Sequence, residues 1–185
     1  YSCNTYYGYT FNRMVDHAGM RSVEGYKRWQ AAVAKFGIGS KLNIDLPNER
    51  KGLLPSADYY TKRFGSDKWT SSFNISLSIG QGELGITPLQ MANVMAIVAN
   101  RGYFYTPHLI REFYPSKALD PKFTTKHTVR IDPIHFDPVI DGMERVISKG
   151  TATSAYIPGI SICGKTGTSQ NAHGENHSVF FAFAP

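Results

Sequence analysis

The sequence predicts an α+β fold, mainly helical over about residues 1–125 and built from a helix and strands over about 126–185. Three observations predict it. Apolar residues recur at spacings of three and four near 22–36, 87–98 and 137–147. Two apolar, β-rich runs, Ile160–Cys163 and Ser178–Ala184, flank the polar loop Ser169–His177 late in the chain. No internal repeat or low-complexity tract interrupts this order.

The elements follow in turn. Thr5–His17 carries Tyr6, Tyr9, Phe11, Met14 and Val15 at loose helical spacing; Gly8 weakens this helix and Gly19 stands where it could end. Its aromatic residues read as core rather than as a carbohydrate platform. A second helix starts with Ser22 as N-cap, aligns Tyr26, Trp29, Val33 and Phe36, and ends at a left-handed Gly37. Ile38–Ser56 dissolves into Gly, Asn, Pro and charge, a loop with room for a small hairpin.

Gly80-Gln-Gly82 is a turn whose backbone can pass close to another group. Thr87-Pro-Leu-Gln90 then has every part of a capping box, with Pro88 at the first helical position. Met91, Val94, Met95 and Val98 form the apolar stripe, and Asn100-Arg-Gly102 stops the helix. Tyr103–Tyr105 and His108–Phe113 alternate as a hairpin broken by Pro107, and Thr128–Ile131 reads as a short strand. A third helix begins near Asp137-Pro138 and runs through Val139, Met143, Val146 and Ile147.

Composition removes several functions. With 42% hydrophobic residues, the 185-residue chain has enough apolar content to bury a core, which argues against disorder. No run of apolar residues is long enough to span a membrane, and no signal-peptide pattern opens the chain. The net charge of +6 is dispersed without a Lys/Arg block, so nucleic acid is not an expected partner. Two cysteines, Cys3 and Cys163, exclude a multi-disulfide scaffold and a zinc site; they are either two buried thiols or, in an oxidising compartment, one disulfide. His173 and His177 are four apart but lie in a Gly/Asn loop without a third ligand, so neither metal nor cofactor is expected. The apolar run Val179–Ala184 would leave an open, aggregation-prone edge if nothing followed it, which suggests a piece of a longer protein.

Lys165-Thr-Gly-Thr168 carries the chemistry. On a strand Lys165 and Gly167 mark one face, and the missing side chain at Gly167 lets a ligand lie flush against the backbone. A cation, two hydroxyls and bare amides suit the carboxylate end of a peptide; a polar strand end is the plainer alternative. Ser-x-Asn occurs three times, as Ser2-Cys-Asn4, Ser72-Phe-Asn74 and Ser169-Gln-Asn171, so the triplet alone selects nothing.

Order selects among them. Ser2-Cys-Asn-Thr5 opens an aromatic-rich segment and is followed by Phe36-Gly-Ile-Gly39, Ile44-Asp-Leu-Pro47 and Gly52-Leu-Leu-Pro-Ser56. Then come Ser78-Ile-Gly-Gln-Gly82, Thr87-Pro-Leu-Gln90, Gly142-Met143, Gly150-Thr-Ala152, Gly164-Lys-Thr-Gly-Thr168 and His177–Pro185. In this order, over nearly the whole chain, the motifs resemble the transpeptidase domain of class B penicillin-binding proteins. The similarity is strongest to the elongation-type, shape-determining branch, penicillin-binding protein 2. Only Ser2-Cys-Asn4 occupies that family's Ser-x-Asn position, and Ser72 and Ser169 then read as structural.

The resemblance implies the penicillin-binding and serine β-lactamase-like fold, helical part plus antiparallel sheet, incomplete at both ends. It implies cross-linking of peptidoglycan stem peptides through a serine acyl-enzyme that β-lactams trap. No serine stands three residues before a lysine here, so the nucleophile motif of the family is expected upstream of Tyr1 and the piece alone is expected to be inactive. Ser2 would relay a proton, Asn4 would hold the substrate amide and the absent lysine, and Lys165, Thr166, Gly167 and Thr168 would bind the substrate carboxylate. The Thr168 N–H would also be an oxyanion donor. Capping by Ser2 and Asn4, and an exposed strand-end Lys165, are the duller alternatives. The implied partners are stem peptides, β-lactams, a SEDS-family glycosyltransferase and other elongation-complex proteins. The implied location is the extracytoplasmic side of the bacterial membrane, held by an anchor outside these residues. A β-lactamase-like hydrolase and a non-catalytic β-lactam-binding scaffold are the rival functions.

Overall fold

In a computed structural model the chain is described over residues 2–17, 19–114, 118–171 and 174–184. It divides into two units, one formed by Ser2–Ser40 with Gly52–Ile86, the other by Lys41–Lys51 with the residues from Thr87 onward. His173, expected in a solvated loop, lies outside the described residues.

The first unit is helical. Helix α1 (Asn4–Val15) buries Gly8, Phe11 and Val15, the i, i+3, i+7 face that the sequence contains but that its tyrosines obscure. Tyr6 and Tyr9 are exposed, 64% and 63%, so most of the aromatic content of α1 is surface, contrary to the core reading. Helix α2 (Ser22–Ala34) starts one residue earlier than a Ser22 cap requires. Arg21 is the N-cap, without a side-chain cap bond, and Ser22 is the first helical residue. Gly37 does adopt the left-handed region, φ 83°, as its position after the helix demands. The two helices meet closely: a Cβ at Gly25 would stand 2.1 Å from the Val15 carbonyl oxygen.

Helix α3 (Ala57–Phe64) is capped by the Ser56 hydroxyl, which accepts from the Tyr59 N–H, and ends at left-handed Gly65. The core gathers Phe11, Val15, Val23, Tyr26, Ala57, Tyr60, Trp69 and Leu77. Tyr26 donates to the Pro55 carbonyl at 2.8 Å and Tyr60 to Glu83 Oε2 at 2.9 Å, so both buried phenols are satisfied. Burial pushes both phenol pKa values far above the ordinary range. No hairpin forms over Ile38–Ser56; Leu53 instead makes a bridge to Gly85.

In the second unit, helix α4 (Pro88–Ala99) carries the complete capping box, with the Thr87 hydroxyl accepting from Gln90 N–H and Gln90 Oε1 accepting from Thr87 N–H. Its most buried residues are Gln90, Asn93, Ile97 and Val98, one face over from the Met91–Val94–Met95 stripe. Gln90 belongs inside because its amide also donates to the Lys51 carbonyl at 2.9 Å.

Strand β1 (Tyr103–Tyr105) does not pair with 108–113. After the short helix α5 (Pro121–Thr124) the chain returns as β2 (Lys126–Thr128), antiparallel to β1 with Phe104 opposite His127. The reason is chemical: the N–H groups of Leu109 and Ile110 donate to Asp45 Oδ2 at 2.8 and 2.9 Å and do not form a strand ladder. The strand expected at 128–131 ends at Thr128, because Arg130 takes a positive φ of 55° that breaks extended pairing.

Asp45 yields a pH prediction. The Ile110 N–H first, then that of Leu109, holds its carboxyl below the ordinary carboxylate range. A depressed folded pKa stabilises above the unfolded value and loses that contribution as pH falls through the folded one. Asp45→Asn is therefore expected to be less stable than the parent at pH 7, with the gap starting to narrow as pH falls below about 4. Urea unfolding at pH 7 and pH 3 checks this; a gap as wide at pH 3 as at pH 7 contradicts it.

Helix α6 (Asp137–Ser148) follows a turn capped by Asp132 and buries Met143 and Ile147. Strands β3 (Cys163–Ser169) and β4 (His177–Phe183) then form an antiparallel ribbon with Lys165 opposite Phe181. Ile160–Ile162 lies outside β3, with Ile160 bridged to Ile157 across a turn, so the strand starts three residues late and encloses the Lys-Thr-Gly motif. Helix α6 packs on β3 and α4 on β4. Among the described residues no third strand joins this ribbon.

Candidate active site

The strand β3 brings Lys165, Thr166, Gly167 and Thr168 together as consecutive extended residues. Alternation puts Lys165 and Gly167 on one face and Thr166 and Thr168 on the other. An anion held by both the ammonium and the hydroxyls must therefore sit off the edge of β3, not over either face. Lys165 is half-buried and its ammonium donates to the Thr166 carbonyl at 2.6 Å, which keeps the cation beside the strand's backbone. Gly167 needs no small residue for internal packing: a Cβ there would meet only Val179 Cγ2, at 3.7 Å, an ordinary contact. The open backbone at Gly167 therefore remains available to something outside this unit.

Gly164 is different. A Cβ there would stand 2.9 Å from the Phe180 ring and 3.1 Å from Ile147 Cδ1, so glycine is what lets α6 and Phe180 close on β3. On the same face, Thr166 Oγ1 lies 2.9 Å from Thr151 Oγ1. The motif order contained Gly150-Thr-Ala152, yet nothing in the residues pointed to this bond. Its partners are fifteen positions apart and meet only because α6 lies on β3.

In the helical unit, Ser2 and Asn4 stand at the start of α1, both exposed. Cys3 is the N-cap of α1, and no side-chain cap bond is made there. The far end of α1 is anchored: Asn12 Nδ2 donates to Asp16 Oδ2 and Ser71 Oγ, and Ser71 N–H and hydroxyl donate to Asp16. The helix thus has a fixed base from which its first turn projects. Of the other two triplets, Asn74 is buried between two short 3₁₀ turns, and the Asn171 N–H donates to Asn176 Oδ1.

Both cysteines are free, Cys3 exposed and Cys163 buried, so the expectation of two buried thiols holds only for Cys163. Burial pushes the Cys163 thiol pKa up, with Glu144 and Asp141 adding to the rise, so it is a poor nucleophile despite its place beside the motif. Among the described residues no group of three metal-ligating side chains occurs, and no helix is long and apolar enough to cross a membrane.

Residues 1–185 match the family described as penicillin binding protein transpeptidase domain. The peptidoglycan D,D-transpeptidase MrdA of Acinetobacter baumannii is 32% identical over 201 residues, covering 100% of this chain and 28% of the relative. The chain thus spans little more than a quarter of that protein's length. A crystal structure of Pseudomonas aeruginosa PBP2 in complex with WCK 5153 superimposes with TM-score 0.77 at 29% identity, over 98% of this chain and 39% of the other. A Helicobacter pylori PBP2, solved in a complex with MreC, gives TM-score 0.75 at 25% identity over 97% of this chain and 31% of that one.

Proposed function

This chain belongs to the penicillin-binding protein transpeptidase family, and we propose that it supplies the carboxylate-binding strand and proton-relay residues of a serine D,D-transpeptidase that cross-links peptidoglycan. The observation that carries the reading is β3, where a lysine, two threonines and a glycine with space above it lie extended along a strand that is paired on one side only among the described residues.

The reaction needs a nucleophile from a Ser-x-x-Lys segment, which these residues lack. The serine oxygen bonds to the penultimate D-Ala carbonyl carbon while the C–N bond to the terminal D-Ala breaks. The serine proton passes to the lysine, and Ser2 hands a proton to the leaving amine. An amine of a second stem peptide then attacks the ester, loses its proton by the reverse route, and releases the serine. Asn4 holds the substrate amide and orients the lysine. Lys165, with the Thr166 and Thr168 hydroxyls, binds the terminal carboxylate through charge-assisted bonds, and the Gly167 backbone leaves room for the peptide. The Thr168 N–H donates to the developing oxyanion.

The partners proposed are stem peptides, β-lactams and a membrane-embedded SEDS-family glycosyltransferase. An MreC-like protein is a further proposed partner, on the precedent of the Helicobacter complex. The full-length protein would act outside the cytoplasmic membrane, anchored by a segment beyond these residues. Its deacylation rate after reaction with benzylpenicillin tests the activity. A long-lived adduct is expected; rapid turnover would make the protein a β-lactamase, and no adduct would make it a scaffold.

A further inference from the structure

We propose that Thr151 is a positioning residue for acyl transfer, setting the direction of the Thr166 hydroxyl proton; this rests on the function proposed above. The triplet Gly150-Thr-Ala152 is built as a bracket. A Cβ at Gly150 would stand 2.8 Å from Val146 Cα and 3.0 Å from the Val146 carbonyl oxygen, so only glycine lets the chain turn this tightly against the last turn of α6. The Ala152 N–H then fastens to that same Val146 carbonyl at 3.0 Å, and Ala152 is 5% exposed. Between two fixed neighbours, the Thr151 side chain reaches Thr166 Oγ1 at 2.9 Å. On the other side, Gly164 seats α6 on β3 through Ile147, which fixes the separation of the two threonines.

Each hydroxyl has one proton, and the pair can be ordered in two ways. If Thr166 donates to Thr151, only lone pairs face an anion at Thr166. If Thr151 donates to Thr166, the Thr166 proton is turned outward and strengthened by the bond it receives. A substrate carboxylate selects the second order. Thr151 therefore contributes only to substrates that carry the carboxylate, which separates this role from a packing role.

The test measures second-order acylation of the full-length protein by benzylpenicillin and by its methyl ester, which lacks the carboxylate charge. Thr151→Val is expected to slow the acid about fivefold, the size of one neutral hydrogen bond, and to leave the ester rate unchanged. Thr151→Ser should restore the acid rate, and Thr151→Val should add nothing to Thr166→Val. Equal slowing of acid and ester, no slowing, or failure of serine to restore the rate would overturn the proposal alone. If Thr151→Val does not fold, the comparison of Thr151→Ser with Thr151→Ala decides it in the same way. An unaltered protein that reacts with neither compound would overturn the proposed function as well.

Discussion

In the full-length protein, Lys165→Ala is expected to slow acylation by penicillin about 10- to 100-fold, the range of a hydrogen bond to a charged group. The unfolding midpoint should hardly move. Lys165 is half-buried, and its ammonium donates to the carbonyl of its own neighbour, a contact that water replaces at little cost. Its removal costs about 1 kcal/mol or less of stability. Lys165→Arg is expected to recover only part of the rate, because the planar guanidinium cannot reproduce a compact ammonium beside the strand. Stopped-flow acylation together with thermal unfolding separates the two effects. A normal acylation rate in Lys165→Ala would remove the strand from the reaction.

Tyr26→Ala is the largest stability change expected. Tyr26 is 0% exposed, and its ring lies 5.4 Å from Trp29, 5.4 Å from Tyr60 and 5.5 Å from Trp69, the last two edge-on. Truncation empties the centre of this aromatic cluster and costs about 3–5 kcal/mol. Tyr26→Phe keeps the ring and removes only the bond to the Pro55 carbonyl, for about 1–2 kcal/mol. Trp29 and Trp69, both within this cluster, are the only tryptophans in the chain, so urea unfolding followed by their fluorescence reports on this unit. Equal losses in the two variants would mean that the phenol bond, not the ring, holds the core.

The parts legible in the sequence were those whose causes are local. The capping box at Thr87 needs only residues three apart, and it forms as read. The β3–β4 pair follows from two apolar runs and a short polar loop, with an error of three residues at Ile160–Ile162. Distant choices were not legible. The pairing partner of β1 depends on Asp45, 64 residues from Leu109, taking the amides that a hairpin would have needed. The exposed face of α1 could not be told from its buried face, because tyrosine suits either and the smaller residue Gly8 marks the inside.

The candidate site divides in the same way. Lys165 and its neighbours were found by residue type and order, and the structure adds why Gly164 is required and Gly167 is free. Ser2 and Asn4 were chosen over two other triplets by order alone. Thr151 was visible only as part of a motif, since its partner is set by the packing of α6 on β3.

The most direct measurement is the location of the bond that penicillin makes. Full-length protein treated with benzylpenicillin, digested and mapped by mass spectrometry should carry the penicilloyl group on one serine of a Ser-x-x-Lys segment outside these 185 residues. A penicilloyl group on Ser2, or on any other residue of this chain, would contradict the division of roles between nucleophile, relay and carboxylate-binding strand.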